Sequence, residues 1–471
     1  MSEHITGDIA DLDTVALADA IRGRRVSPAQ AVAAALARIE AGRRYNAFIT
    51  VCADAARAEA QAMQARWQDG GALPPLFGVP FSVKDLTATA GVRTTQGSRL
   101  FADTVPAQDA VAVARLKAAG GILIGKTTTP EFGHKPFTES PLFGRTLNPW
   151  DESVTCGGSS GGAAVAALLG MGPLALGSDG GGSIRIPAAC CGIVGLKATL
   201  GAIPHLQVPD LFGANSYVGP MARSVAEVAL AFRILRGADA ADPWGQAPLP
   251  AHPARDLRGL RVAWLPRCGS PAIDPQVAAL TEAAARRLQA LGAAVEEVAF
   301  DFAGLEPSFL VMLESALAAR LAGYLQDRRG DMDASLAITI EKGLGHSAVA
   351  LQRAAAARSD FFRRLQGLFA GFDLLVSPVT TAPALPVGLD PHGHVPIAGQ
   401  DAGTLRGAWY PFTFPLNLSG HPALSMPCGV TRAGLPVGLQ IAGPWHAEET
   451  ILAAAAALEA DLPAIRRPQI S

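Results

Sequence analysis

The sequence predicts an α/β layer fold, and three observations carry that prediction. From Phe77 onwards, short apolar runs broken by glycine recur along the chain. Stretches of helical periodicity lie between them, the alternation expected of sheet strands joined by packing helices. The 50 Gly and 35 Pro in 471 residues supply the tight turns such alternation needs, rather than long bare helices. At roughly 100–200 residues per domain the length fits one large α/β unit or two to three smaller ones. With no internal repeat and no long linker, a single domain is the expectation.

The elements follow in order. Leu17 and Ile21, then Val32, Leu36 and Ile39, recur at helical spacing, and Ser27-Pro28 supplies an N-cap with proline in the first turn, so two helices open the chain. Ala53 to Trp67 reads as another helix. Val79 to Val83, Ile122 to Gly125 and Leu174 to Gly177 read as strands, with a helix over Asp109 to Ala119. Farther on come a strand at Leu260 to Leu265, a helix at Pro275 to Leu291 and a strand at Ala294 to Phe300. Leu305 to Leu368 is mostly helical, and Phe372 to Pro378 resumes the sheet. Pro383 to Asp401 reads as a surface loop. Ala423 to Pro427 and Leu435 to Ile441 form a hairpin, and Glu448 to Leu458 closes as a helix.

Composition removes several function classes. With 49% hydrophobic and 17% charged residues, against a usual charged share of about 25%, the chain is not disordered. Lys and Arg (39) nearly balance Asp and Glu (41) and no basic run occurs, so nucleic acid is not an expected partner. The six Cys are scattered and form no C-x-x-C, which reads as reduced thiols in a cytoplasm, and Cys190-Cys191 read as small core residues. The N-terminus, Met1-Ser-Glu-His-Ile-Thr-Gly-Asp, has neither the basic nor the apolar region of a secretory signal. The most apolar stretch, Ala163 to Gly177, is interrupted by Gly170, Gly172 and Pro173, so no membrane span is expected. His392 and His394 read as exposed loop residues, two His being too few for a metal site.

The chemistry concentrates in two glycine-rich loops that each carry serine: Cys156-Gly-Gly-Ser159-Ser160-Gly-Gly, and Gly177-Ser-Asp-Gly-Gly-Gly-Ser183-Ile-Arg-Ile-Pro187. Glycine clusters let backbone N–H groups converge on an anion or an oxyanion without Cβ obstruction. A phosphate loop is excluded by the missing G-K-[ST]. A serine nucleophile needs a base, and none of the nine His lies in either loop, although a distant His stays open. Lys84, after the apolar run Val79-Pro-Phe-Ser-Val83, is the other candidate, because a buried stem would desolvate its amine. Acting near neutrality requires its pKa to fall by about 2–3 units from the free value near 10.4.

These residues together resemble the amidase signature family, serine hydrolases with a Ser-cisSer-Lys triad. The resemblance rests on the strand-lysine motif at Lys84, G-G-S-S-G-G at 157–162, S-D-x-G-G-S-I-R at 178–185 and Gly192-Ile-Val-Gly-Leu-Lys197. Looser similarity extends to Pro415-Leu-Asn-Leu-Ser-Gly-His-Pro422 and Gly434-Leu-Pro-Val-Gly-Leu-Gln440, nearly the whole chain. It implies a twisted mixed sheet with helices on both sides. Within one domain it implies N-terminal helices over 1–70, a catalytic core over 71–225, and further sheet, a helical pocket region and the C-terminal hairpin and helix over 226–471. It implies Ser183 as nucleophile, Ser159 as the bridging serine after a cis peptide bond, and Lys84 as base. Gly180, Gly181 and Gly182 with the Ser183 N–H are then the oxyanion donors, Gly133 and Tyr410 contact substrate, and Asp179 pairs with Arg185 behind the nucleophile. Lys197 lies in a structural segment. No metal or organic cofactor is called for.

Three departures or choices shape the functional expectation. Cys156 stands where many relatives have Pro, and Gly180 where many have Thr. Tyr410 stands where the glutamine-hydrolysing subunit of tRNA-dependent amidotransferases has an Asp that holds the amino group of glutamine. Trp409, Tyr410, Phe412 and Phe414 then form an aromatic, uncharged approach. Pocket walls are expected from Phe132 to Phe143, His205 to Tyr217 and the helices after Leu305, with Phe137, Phe143, Leu206, Leu211, Phe212, Phe309 and Met312 as apolar lining. The expectation is a stand-alone hydrolase of neutral hydrophobic or aryl amides, and of aryl carbamates, with a homodimer as its only expected protein association. The amidotransferase subunit is the alternative, and an inactive binding protein is disfavoured by the intact Lys84, Ser159 and Ser183.

Overall fold

Every element that carries the chemistry hangs on one mixed sheet. The computed structural model describes residues 8–69, 71–213, 215–245, 257–270, 272–302 and 304–470. The strands are β1 (Phe48–Val51), β2 (Pro80–Lys84), β3 (Ile122–Thr127), β4 (Glu139–Ser140), β5 (Gly144–Arg145), β6 (Leu174–Asp179), β7 (Val194–Lys197) and β8 (Tyr217–Ala222). They continue with β9 (Arg261–Trp264), β10 (Ala294–Glu297), β11 (Leu374–Pro378), β12 (His394–Ile397), β13 (Gln400–Thr404), β14 (Ala423–Val430) and β15 (Pro436–Ala442). Eleven of them form the sheet in the order β1-β3-β2-β6-β8-β7-β14-β15-β11-β9-β10. The β3-β2-β6 and β11-β9-β10 neighbours run parallel, and the pairings between β6 and β11 are antiparallel.

Strand periodicity divides the core into two faces. On β6, Leu174 and Leu176 join an apolar cluster with Phe81, Val83, Val113 and Phe232, while Ala175 joins a second cluster with Ile122, Ile124 and residues 163–169. Successive side chains alternate sides, so both faces are covered by helices and the central strands read as continuous apolar runs. The helix Gly161–Leu168 is buried along its whole length, which explains its apolar sequence all round. The N-terminal helices Thr14–Arg22 and Pro28–Ala41 form where expected, the second with Ser27 and Gln30 in a reciprocal capping box.

Several expectations need correction. Residues 1–70 are not helices alone: Phe48–Val51 adds an antiparallel edge strand to β3. The helix expected over Ala53 to Trp67 is two, Ala53–Ala62 and Gln64–Gln68. The loop expected over Pro383 to Asp401 contains β12 and leads into β13, a two-stranded hairpin whose residues Val395 and Ile397 are buried beneath it. β8 was not foreseen, since Gly219 and Pro220 argue against a central strand. One helical run, Leu305–Asp331, has the length and hydropathy of a membrane span. Within it a 3-10 turn at Ala322–Tyr324 interrupts the α-helix, and Glu314 pairs with His346. The leader reading rests on residues 1–8, of which 1–7 lie outside the described residues, as do 246–256 of the connection before β9.

Candidate active site

Lys84 is the last residue of β2, between β3 and β6. Phe81 and Val83 point into the apolar cluster on one face, so Ser82 and Lys84 point to the other. There Lys84 is fully buried, and its Nζ lies 2.7 Å from Ser159 Oγ and donates at 3.4 Å to the Ser178 carbonyl. Burial drives this amine well below its ordinary range, against the opposing pull of Asp179. The Gly158–Ser159 peptide is cis. Gly133, at φ +70°, brings its backbone against that serine: a Cβ there would sit 3.0 Å from Ser159 Oγ. Its own N–H donates to the Pro130 carbonyl, so Gly133 contributes space rather than a donor.

Ser183 follows β6 on the second loop and lines the same cavity as Ser159. The loop is fixed from behind by Asp179. This carboxylate accepts from the N–H of Gly182 at 2.6 Å and of Ile184 at 3.2 Å, and meets Arg185 through two contacts of 3.0 Å. Burial opposes the anion, and the Arg185 guanidinium outweighs it, holding the carboxyl well below its ordinary value. Arg185 in turn donates to Gln440 at 2.8 Å and Asn417 at 2.6 Å, and Asn417 donates to the Asp179 carbonyl at 2.8 Å. Asn417 and Gln440 were visible only as parts of the looser similarity; nothing in their spacing announced this network.

One assigned donor is therefore spent. The Gly182 N–H belongs to Asp179 and Gly182 does not line the cavity, so it is not an oxyanion donor. The N–H groups of Gly180, Gly181 and Ser183 have no protein acceptor among the described residues, and those three residues line the cavity. A Cβ on Gly180 would meet nothing within 4 Å, so the departure from threonine opens room beside the nucleophile. No hydrogen bond joins Ser159 to Ser183 among the described residues.

The cavity walls also differ from expectation. Phe132 to Pro136, Ser216, Ile186, Phe309, Leu313 and Tyr410 line it. Phe137 is buried and stacks at 6.1 Å on Trp409, which is itself fully buried and donates its indole N–H to the Ala382 carbonyl. Phe412 is core, and Phe212 is 73% exposed. Phe143, Leu206, Leu211 and Met312 likewise stand off the cavity. The approach is therefore aromatic through Phe132, Phe309 and Tyr410, and it is not uncharged, because Arg406 lines it together with Lys135 and His134. Lys135 is neutralised by Glu139 at 3.1 Å and Asp333 at 2.7 Å, and burial pushes His134 down to about 4. Cys156, Cys190 and Cys191 are buried free thiols pushed up by burial. Lys197 is buried against the Tyr217 ring at 3.8 Å. Among the described residues no group of three or more His, Cys, Asp or Glu is placed to hold a metal.

A mixed sheet buries a lysine against a serine, beside a second serine on a glycine loop, an arrangement that can support lysine-assisted acyl transfer. The Amidase family model matches residues 30–452. An acylamidase of Rhodococcus erythropolis is 35% identical over 462 residues, 96% of each chain. A glutamyl-tRNA(Gln) amidotransferase subunit of Roseiflexus sp. (strain RS-1) is 35% identical over 465 residues, 92% of this chain and 93% of that one. Among solved structures, a bacterial aryl acylamidase of the amidase signature family superposes with TM-score 0.88 at 28% identity, covering 95% of this chain and 96% of that one. A substrate complex of 6-aminohexanoate cyclic dimer hydrolase superposes with TM-score 0.88 at 29% identity, covering 98% and 100%. The chain belongs to the amidase signature family and is an amide-hydrolysing enzyme.

Proposed function

We propose that the chain hydrolyses the C–N bond of hydrophobic and aryl amides, and of aryl carbamates, through an acyl-enzyme on Ser183. The observation that carries this reading is the 2.7 Å contact between a fully buried Lys84 and Ser159 on the wall that also presents Ser183. Neutral Lys84 takes the Ser159 proton, and Ser159 takes the Ser183 proton as Ser183 Oγ attacks the carbonyl. For that second transfer the Ser183 hydroxyl turns towards Ser159 when substrate engages. The N–H groups of Gly180, Gly181 and Ser183 receive the oxyanion. The relay then returns a proton to the leaving amine, and water hydrolyses the ester. Phe309, Leu313 and Ile186 offer apolar walls to a ring or alkyl group. The acylamidase and aryl acylamidase relatives support the same substrate class.

Relatives named as amidotransferase subunits match at similar identity, which favours glutamine hydrolysis as the second reading. Tyr410 in place of a carboxylate argues against it. Purified chain alone should cleave 4-nitroacetanilide or an aryl carbamate with kcat/KM well above that for glutamine. A better rate with glutamine, or activity only with added subunits and tRNA, would replace our reading with the second.

A further inference from the structure

We propose that Arg406 reads a carboxylate that the substrate carries away from its scissile carbonyl. Arg406 sits on the short helix Leu405–Trp409, which Thr404 caps by accepting from the Gly407 N–H. Its guanidinium carbon lies 4.9 Å from the Phe309 ring centroid and 5.3 Å from that of Tyr410, so two cavity aromatics set its plane. Its Nε is buried with no hydrogen-bond partner, and the guanidinium forms no ion pair among the described residues. A buried donor without a partner is costly, and this one stands in the wall of the catalytic cavity.

The surroundings select the ligand's charge. Among the described residues no Asp or Glu lines that cavity. Its other cation, Lys135, is already held by Glu139 and Asp333, and burial keeps His134 neutral. Glu306, in the adjoining hollow that Arg406 also lines, accepts from Thr404 Oγ1 at 2.8 Å and lies beyond ion-pair range of the guanidinium. Among the described residues the cavity therefore offers one uncompensated cation, whose planar fork matches the two oxygens of a carboxylate. Phe309, which faces the Arg406 guanidinium and packs beside Gly181 on the serine loop, suits an apolar spacer or ring. The substrate class this implies is an amide with a hydrophobic centre and an acidic end.

The inference rests on the reading of this cavity as the amide site, and the test separates the two. Calorimetry with the Ser183→Ala enzyme measures binding of glutaranilic acid and of its methyl ester without turnover. The acid should bind about tenfold or more tightly, the strength of a charge-assisted pair. Adding Arg406→Gln should bring the ratio to about one, and Arg406→Lys should keep part of it. Equal binding of acid and ester for both glutaranilic acid and the amine-side acid 4-acetamidobenzoate, or a preference that survives Arg406→Gln, overturns the proposal. With the active enzyme, glutaryl 4-nitroanilide and 4-acetamidobenzoate, each against its methyl ester, show whether the carboxylate belongs on the acyl or the amine side. Charge-selective binding without turnover of any anilide would sink the proposed function and leave Arg406 its role. Anilide turnover with no charge preference in binding would do the reverse.

Discussion

Lys84 shows how one side chain links burial to reactivity. It ends a strand whose five residues are all buried, and desolvation of the ammonium moves its pKa well below the ordinary 10.5. Only the neutral amine can accept the Ser159 proton, so kcat/KM should rise with pH and level off well below 10.5, as a pH profile of anilide hydrolysis will show; a profile still climbing at 10 contradicts it. The same shift has a stability sign. Because the folded-state value is depressed, the unfolded chain binds the proton more readily. The penalty is then full below the folded-state pKa and vanishes as pH approaches 10.5. Lys84→Met should therefore cost about 10²–10⁴-fold in rate while raising Tm at neutral pH, and the gain should shrink in alkaline buffer. For the nucleophile, Ser183→Ala should abolish turnover with the fold intact, and an acylating or phosphonylating reagent should add its mass to the peptide containing Ser183. Labelling at Ser160 would refute that role.

At the scale of elements, Asp179 gathers the loop of the proposed nucleophile from beneath. Gly182 holds φ +123°, and a Cβ there would sit 2.4 Å from Thr413 Oγ1, so Gly182→Ala should both strain the backbone and push the loop off Thr413. Asp179→Ala would strand Arg185 in the interior, at about 3–5 kcal/mol for a broken buried pair. A chemical denaturation series should find Asp179→Ala the more destabilised and both variants slowed at least about tenfold, since misplacing reacting groups is costly in rate. Wild-type rates in Gly182→Ala would mean that the loop geometry does not matter. This loop was legible from sequence because its glycines, serine and acid–base pair lie within a few residues. The strands β2, β3 and β6 were legible because burial on both faces leaves unbroken apolar runs. Arg406 was not, since it stands on a five-residue helix whose aromatic neighbours Trp409 and Phe412 turn into the core instead of the cavity. β8 was hidden by its own Gly219-Pro220, and the spent donor of Gly182 depends on a carboxylate whose direction no spacing reveals.

For the whole molecule, the order of the sheet is the argument for one cooperative unit. β7, from the first half of the chain, pairs with β14 from the second through Ala423 opposite Lys197 and Leu424 opposite Leu196. Residues before and after the 230–260 connection therefore share a ladder, and Asn417 and Gln440 reach back to Asp179 and Arg185. Part of that connection is already helix, since Val225–Leu235 carries it to Leu235. At the far edge, β10 ends in Glu296 and Glu297, charges that blunt an open strand against pairing with another chain. A protease cut made after residue 236 and before β9 should thus leave two fragments that co-elute and melt in one transition, because separating them would break the β7-β14 ladder and unpair the buried Arg185. The nicked protein should keep most of its anilide activity, the proposed catalytic residues Lys84, Ser159 and Ser183 all lying before the cut and their support after it. If gel filtration instead resolved two stably folded pieces, or if the N-terminal fragment alone retained full activity, the chain would be two domains and the support from Asn417 and Gln440 dispensable.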